Sequence, residues 1–299
     1  MKNTNKTLTI PTGTTTIADF EYREHNEFTK VVIPDGVTHI GIYAFAYCKN
    51  LKSVVIPASV TSIDGYAFAY CENLVSIVIP EGVTDISDSA FACCLNLETV
   101  VMPEGVTNIG NEAFGFCRSL KSIVIPKEVT NIGCSAFTEC ENLVSVEIGN
   151  NVKKIGFSAF NGCKKLASIT IPTGVTHIED CTFAYCESLK SIVIPENVIH
   201  IKKYAFSHCK ELTAITIPIG VKTIWEGAFK NCVNLTDVKI KNEKIGIAIS
   251  AFEDCDNVQT IEAPISLANV TQRLFNYANA ETKEKWLCRS CLLYGDYKG

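Results

Sequence analysis

The sequence predicts an α/β repeat fold: a solenoid of short parallel strands joined by helical turns and closed by a helical C-terminal cap. Three observations carry that expectation. A 23-residue period runs without insertion or deletion, the apolar spacing inside each period switches from alternating to helical, and the period breaks down after residue 260. The chain of 299 residues is 47% hydrophobic and 20% charged, a globular composition that excludes disorder over most of its length.

The template begins at Val31 and restarts at Val54, Ile77, Val100, Ile123, Val146, Ile169, Ile192, Ile215 and Val238, which makes ten copies over 31–260. A fixed period of this size changes how every other motif is read. With the first residue of each copy as position 1, positions 1, 3, 7, 10, 14, 15, 18 and 21 hold Val/Ile, Ile, Val, Ile, Ala, Phe, Cys and Leu with few departures. Val54 and Ile56 alternate as one face of a strand does, while Ala67, Cys71 and Leu74 fall at i, i+4 and i+7 as one face of a helix does. Pro57 and its equivalents stop each strand early, because proline brings no N–H to a ladder. Val60 to Ile63 form a second short strand candidate. A unit this small leaves its apolar face open until a neighbour stacks on it, so stacking is compulsory.

Leu51-Lys52-Ser53-Val54-Val55-Ile56 fits the strand pattern L-x-x-L-x-L of leucine-rich repeats, and Ile63, Ala67-Phe68, Cys71 and Leu74 continue as in the BspA-like subclass. Over 31–260 the chain therefore resembles the BspA-like leucine-rich-repeat family. The resemblance implies a curved leucine-rich-repeat solenoid of a family found as surface and secreted proteins, several of them adhesins for host matrix proteins such as fibronectin and fibrinogen. The first residues, Met1 to Thr16, are polar and lack the apolar run of a signal peptide. The sequence by itself thus points to the cytoplasm, and the resemblance to the cell surface or the exterior.

The ends depart from the template. Residues 1–30 read as an N-terminal tail and a degenerate capping repeat, in which Leu8, Ile10, Pro11, Gly13 and Ile17 keep the phase while Tyr22 replaces the Phe, His25 the Cys and Phe28 the Leu. Residues 261–299 read as a helical C-terminal cap. Within it, Leu267, Val270, Leu274, Phe275 and Ala278 form one stripe, followed by Trp286, Leu287, Cys291 and Leu292.

With positions 1 and 3 turned inward, position 2 and the preceding position 23 face the concave side, where such solenoids bind. The candidate partner-binding residues are Val32, Ser53, Val55, Ser76, Val78, Thr99, Val101, Ser122 and Val124, an uncharged and weakly apolar stripe rimmed by Asp35, Glu81, Glu104 and Glu196. On the opposite face, positions 13 and 17 bring together Tyr43 with Tyr66 and Tyr47 with Tyr70, which read as cover for the turns beneath them or as a second candidate surface, since tyrosine is favoured at contact hot spots.

Little in the sequence points to chemistry. Ten of the 15 Cys occupy position 18 and read as a row of buried free thiols, since parallel side chains hold their Cβ atoms too far apart for a bridge. Cys288-Arg289-Ser290-Cys291 is a lone C-x-x-C without a second pair at zinc-site spacing. His177 and His200 share position 9 but no carboxylate cluster joins them. There is no Gly-rich phosphate loop, nucleophile elbow or H-E-x-x-H, so the reading is non-enzymatic, with no cofactor and no metal. A formal net charge of −5 argues against nucleic acid as partner, and no apolar run of membrane-spanning length occurs. Two readings follow: a protein-binding solenoid that uses the concave sheet, as a BspA-like adhesin does, or an intracellular scaffold whose C-terminal segment, 267–299, docks the partner.

Overall fold

The computed structural model describes residues 6–271. They form a leucine-rich-repeat β-solenoid in which all strand pairing is parallel and joins each copy to the next. Thr7–Thr9, Lys30–Val32, Ser53–Val55, Ser76–Val78 and Thr99–Val101 make the first ribbon, with Val31 facing Val54 and Ile77 facing Val100 in a register of one period. Ser122–Ile125 and Ser145–Ile148 form a second ribbon, and Ala214–Ile217, Asp237–Ile240 and Thr260–Glu262 a third. Between these two, pairing thins to isolated bridges at Ser145–Ser168 and Thr170–Val193. A second row of two-residue strands at positions 9 and 10, such as Ser62–Ile63 and Asn108–Ile109, runs alongside.

Proline limits the ladder between copies. In the two copies where position 4 is Gly149 or Lys241, the N–H that proline lacks donates to the preceding strand, at Ile125 and Ile217, and both the donating strand and the one it pairs with run to four residues. Gly149 also answers a close approach, since a Cβ at that position would lie 2.6 Å from Lys127 Cα and from Pro126 O.

The segment with helical spacing is not a helix. Positions 12 to 20 form consecutive turns, and the reason lies in where the N–H groups go. Those of Tyr43, Phe45 and Tyr47 donate to carbonyls of the next copy, Gly65, Ala67 and Ala69, at 3.2, 2.8 and 2.8 Å. Those of Ala44, Ala46 and Cys48 donate three residues back, to Gly41, Tyr43 and Phe45. An α-helix needs every N–H for its own i−4 carbonyl, so a segment that lends alternate N–H groups to its neighbour cannot form one. Each turn is closed by a residue in the left-handed region at position 13 or 17, for example Tyr43 at φ 56° and Tyr47 at φ 61°. Two successive tight turns return the chain to the core with nearly the spacing of a helix, which is why the pattern reads as one.

The expected helical cap is represented by a 3-10 turn, Ile265–Leu267, followed by helical residues 268–271. The rest of the 267–299 segment, with Cys288 and Cys291, lies outside the described residues.

The core is built of ladders, one side chain per copy. Tyr22 and the position-15 phenylalanines from Phe45 to Phe252 stack in one file, with neighbouring centroids 5.0 to 5.8 Å apart and rings within 10° of parallel. The cysteine file beside it explains why position 18 is cysteine. Each Sγ–H donates to the position-15 carbonyl of the preceding copy, as Cys94 does to Phe68 at 3.3 Å, and that carbonyl also accepts the Cys71 N–H at 3.3 Å. A small apolar side chain with a weak donor fills the space and satisfies a second lone pair of a buried carbonyl.

Phe114 is fully buried between Phe91 and Phe137, whereas Phe252 stacks on Phe229 alone among the described residues. Phe114→Ala is expected to cost roughly 3–5 kcal/mol in urea unfolding followed by circular dichroism, and Phe252→Ala clearly less. Equal losses at the two positions would contradict the ladder as the source of cooperativity.

Candidate functional site

The strand face presents side chains in rows because the register is one period at every pairing. Ser53 pairs with Ser76, Ser76 with Thr99, Val32 with Val55 and Val78 with Val101. Val55, Val78, Val101 and Val124 are 49%, 63%, 55% and 58% exposed, while Val32 is half-buried. Ser76, Thr99 and Ser122 are exposed beside them, and Ser53 is half-buried. The structure thus brings the sequence-derived stripe together on one surface, with Val124 opening the second ribbon, which packs beside the first. The row ends in charge, because Val124 is paired with the exposed Glu147.

Three features of this surface escaped sequence reasoning. Val75 and Val144, at the entry to their strands, are 44% and 49% exposed and enlarge the apolar area. Val193, which the period already placed at position 2, is 79% exposed where the ladder thins, and the shallow groove it lines with Thr216, Pro218, Glu196 and Lys241 is not visible in the period. Across that groove, Lys241 Nζ lies 2.8 Å from Glu196 Oε1, a pair that skips a whole copy. Glu196 is held below its usual carboxylate pKa, chiefly by the Lys241 hydrogen bond. Lys241 occupies the position where proline was expected, and that departure was the available signal.

The aromatic face is a set of closed stacks. Tyr43 and Tyr66 lie 4.5 Å apart, Tyr47 and Tyr70 4.4 Å, and Phe20 stacks on Tyr43 at 5.2 Å, with the Arg23 guanidinium over Phe20, Tyr43 and Tyr47. Rings that cover each other's faces offer a partner little beyond edges and hydroxyls. The Tyr70 hydroxyl is pushed up to about 12, first by the neighbouring Cys93 thiol and then by burial.

His177 and His200 stand side by side, with ring centroids 5.1 Å apart. Their Nδ1 atoms engage the Thr176 and Thr223 hydroxyls. Burial, then His177, Lys202 and Lys222, lower the pKa of His200. Among the described residues no group of three or more His, Cys, Asp or Glu is placed to hold a metal ion, and no helix is long and apolar enough to cross a membrane. The described cysteines are free thiols.

The family model for the BspA type leucine rich repeat region, in six copies, matches residues 1–121, 107–234 and 176–284. The chain belongs to the BspA-type leucine-rich-repeat family. Among solved structures, this BspA-type protein is similar to a leucine rich cell surface protein from Faecalibacterium prausnitzii, at 30% identity over 92% of this chain and 82% of that one, with a TM-score of 0.57. It is also similar to a leucine-rich repeat protein from Bacteroides ovatus, at 25% identity over 91% and 90% of the two chains, with a TM-score of 0.52. A leucine-rich repeat protein of T. pallidum is 32% identical over 62% of this chain and 78% of that one, with a TM-score of 0.50. A search of curated proteins finds no match. Solenoids of this kind are typically non-catalytic.

Burial raises the thiol pKa along the cysteine file from Cys48 to Cys232, to about 12 at Cys48 near the N-terminal end and well above the ordinary value at Cys71 and Cys117. A thiolate-directed reagent at mildly alkaline pH is therefore expected to leave the position-18 cysteines unlabelled in the folded protein and to label them on unfolding, read by mass spectrometry. Rapid labelling of Cys117 in the folded protein would contradict the packing described.

Proposed function

We propose that this BspA-type protein is a non-catalytic protein-binding solenoid whose exposed strand face holds its partner, in the manner of an adhesin for an extracellular-matrix or host surface protein. The observation that carries the reading is the row Val55, Val78, Val101 and Val124, each about half exposed or more and flanked by Ser76, Thr99 and Ser122. A contiguous apolar surface of this kind marks an interaction site more often than chance exposure does. Small uncharged neighbours keep it flat, so a partner meets it without desolvating charge at its centre. The similarity to a protein described as a leucine rich cell surface protein supports the adhesin form of the reading. The family model supports protein binding in general.

The test is solid-phase binding to fibronectin, fibrinogen and other matrix proteins, comparing the wild type with Val55→Lys, Val78→Lys, Val101→Lys. These side chains point to solvent, so circular dichroism and melting of the triple variant are expected to match wild type. Three ammonium groups set into the apolar row should weaken binding at least roughly tenfold. Undiminished binding by the folded variant would move the site off the strand face, and the segment 267–299 would be next to test by deletion.

A further inference from the structure

The turn after each strand places its position-5 side chain at the rim of the strand face. Glu196 shows this directly, because it lines one groove with Val193 and Thr216, two position-2 residues of that face. Lys241 reaches the same rim from position 4 two copies on and pairs with it. In the N-terminal half position 5 holds Ala58 and the exposed Lys127 beside three carboxylates, Asp35, Glu81 and Glu104. All three are exposed, and none has an ion-pair partner among the described residues. The residues that stand where Lys241 stands relative to Glu196 are Pro80 for Asp35, Pro126 for Glu81 and Gly149 for Glu104. None of them carries a charge. The C-terminal half of the rim thus pairs its carboxylate from within, whereas in the N-terminal half Lys127, one copy beyond Glu104, forms no ion pair with it.

From this asymmetry we infer that the N-terminal half of the strand face takes an extended segment of a protein partner that mixes Lys or Arg with aliphatic residues. The basic groups pair with Asp35, Glu81 and Glu104 as Lys241 does with Glu196, and the aliphatic side chains lie on Val55, Val78 and Val101. This rests on the strand face being the binding surface, and it names the partner's chemistry. The spacing fits. Neighbouring strands lie about 4.8 Å apart, so Glu81 and Glu104 are offset by about 5 Å and Asp35 and Glu81 by about 10 Å. Basic residues two or three apart in an extended segment cover those offsets with their flexible stems. Rim charges of this exposure act mainly on register, association rate and salt dependence, while the valine row supplies the contact that holds.

Fluorescein-labelled peptides with a Val-Thr background carrying Lys, Glu or Ser at every third residue, titrated into the full-length protein and followed by anisotropy at low and high salt, test the inference. The Lys peptide is expected to bind, to weaken with salt, and to weaken at least roughly tenfold for Asp35→Asn, Glu81→Gln, Glu104→Gln, while Glu211→Gln on an exposed turn leaves it unchanged. Equal binding of the Ser peptide, undiminished binding of the Lys peptide by the triple rim variant, or no binding of any peptide would overturn it. The two readings separate on a matrix protein that the wild type binds. Loss in the valine variant with full retention in the rim variant keeps the strand face and removes the basic partner, whereas retention in both removes the strand face.

Discussion

Everything in this molecule depends on alternate backbone N–H groups being given to the next copy. At positions 13, 15 and 17 the donor belongs to one copy and the acceptor to its neighbour. A copy folded alone would leave those groups unsatisfied as well as its apolar side chains exposed, and an unpaired buried polar group costs as much as a lost hydrogen bond. The same lateral bonds explain the strictness of the period. A single inserted residue would shift the ring file, the cysteine file and the strand register together, and no insertion occurs between 31 and 260. Stability is consequently a sum over neighbouring interfaces, as in other one-dimensional folds.

The lateral bonding also sets the backbone conformation at the turns. Tyr43, Tyr47, Ser89, Glu112 and their equivalents adopt φ between 53° and 65°, a region costing roughly 1–2 kcal/mol for a residue with a Cβ. Glycine takes that role at Gly162 and Gly227. Elsewhere the turn is held by a hydrogen bond on either side of the left-handed residue, and in several copies by ring stacking above it. The tyrosine pairs are therefore explained by the geometry of the turns.

That face is not uniform. Its N-terminal half consists of two hydrogen-bonded ribbons side by side, with an uncharged centre and free acidic groups along one rim, while its C-terminal half brings Glu147, Thr170, Thr216 and Lys239 into the same row and closes its rim with the Glu196–Lys241 pair. Between the halves the ladder thins to bridges near residues 168–193. A repeat multiplies its surface residues, so a partner site arises where copies agree, and the agreement is strongest from Val32 to Val124. Unlike residues converge at the Val193 groove, and like ones at the histidine pair, and neither assembles a nucleophile, a base and an orienting group.

The sequence by itself determined the period, the core positions, the parallel one-period stacking and the outward direction of Val55, Val78, Val101 and Val124, because each follows from side-chain alternation repeated in register. It read the spacing of positions 14, 18 and 21 as a helical turn, since two consecutive tight turns and an α-helix bury side chains at nearly the same spacing, and only the destination of the N–H groups separates them. The role of the cysteine row was equally hidden, as the carbonyl that each thiol caps lies in another copy, 26 residues earlier. The Glu196–Lys241 pair spans 45 residues and the thinning of the ladder is collective, so neither is written in any local pattern. What tertiary structure alone decided are the contacts between copies that differ from one another, for a periodic sequence specifies what every copy shares and is silent on where two unlike copies meet.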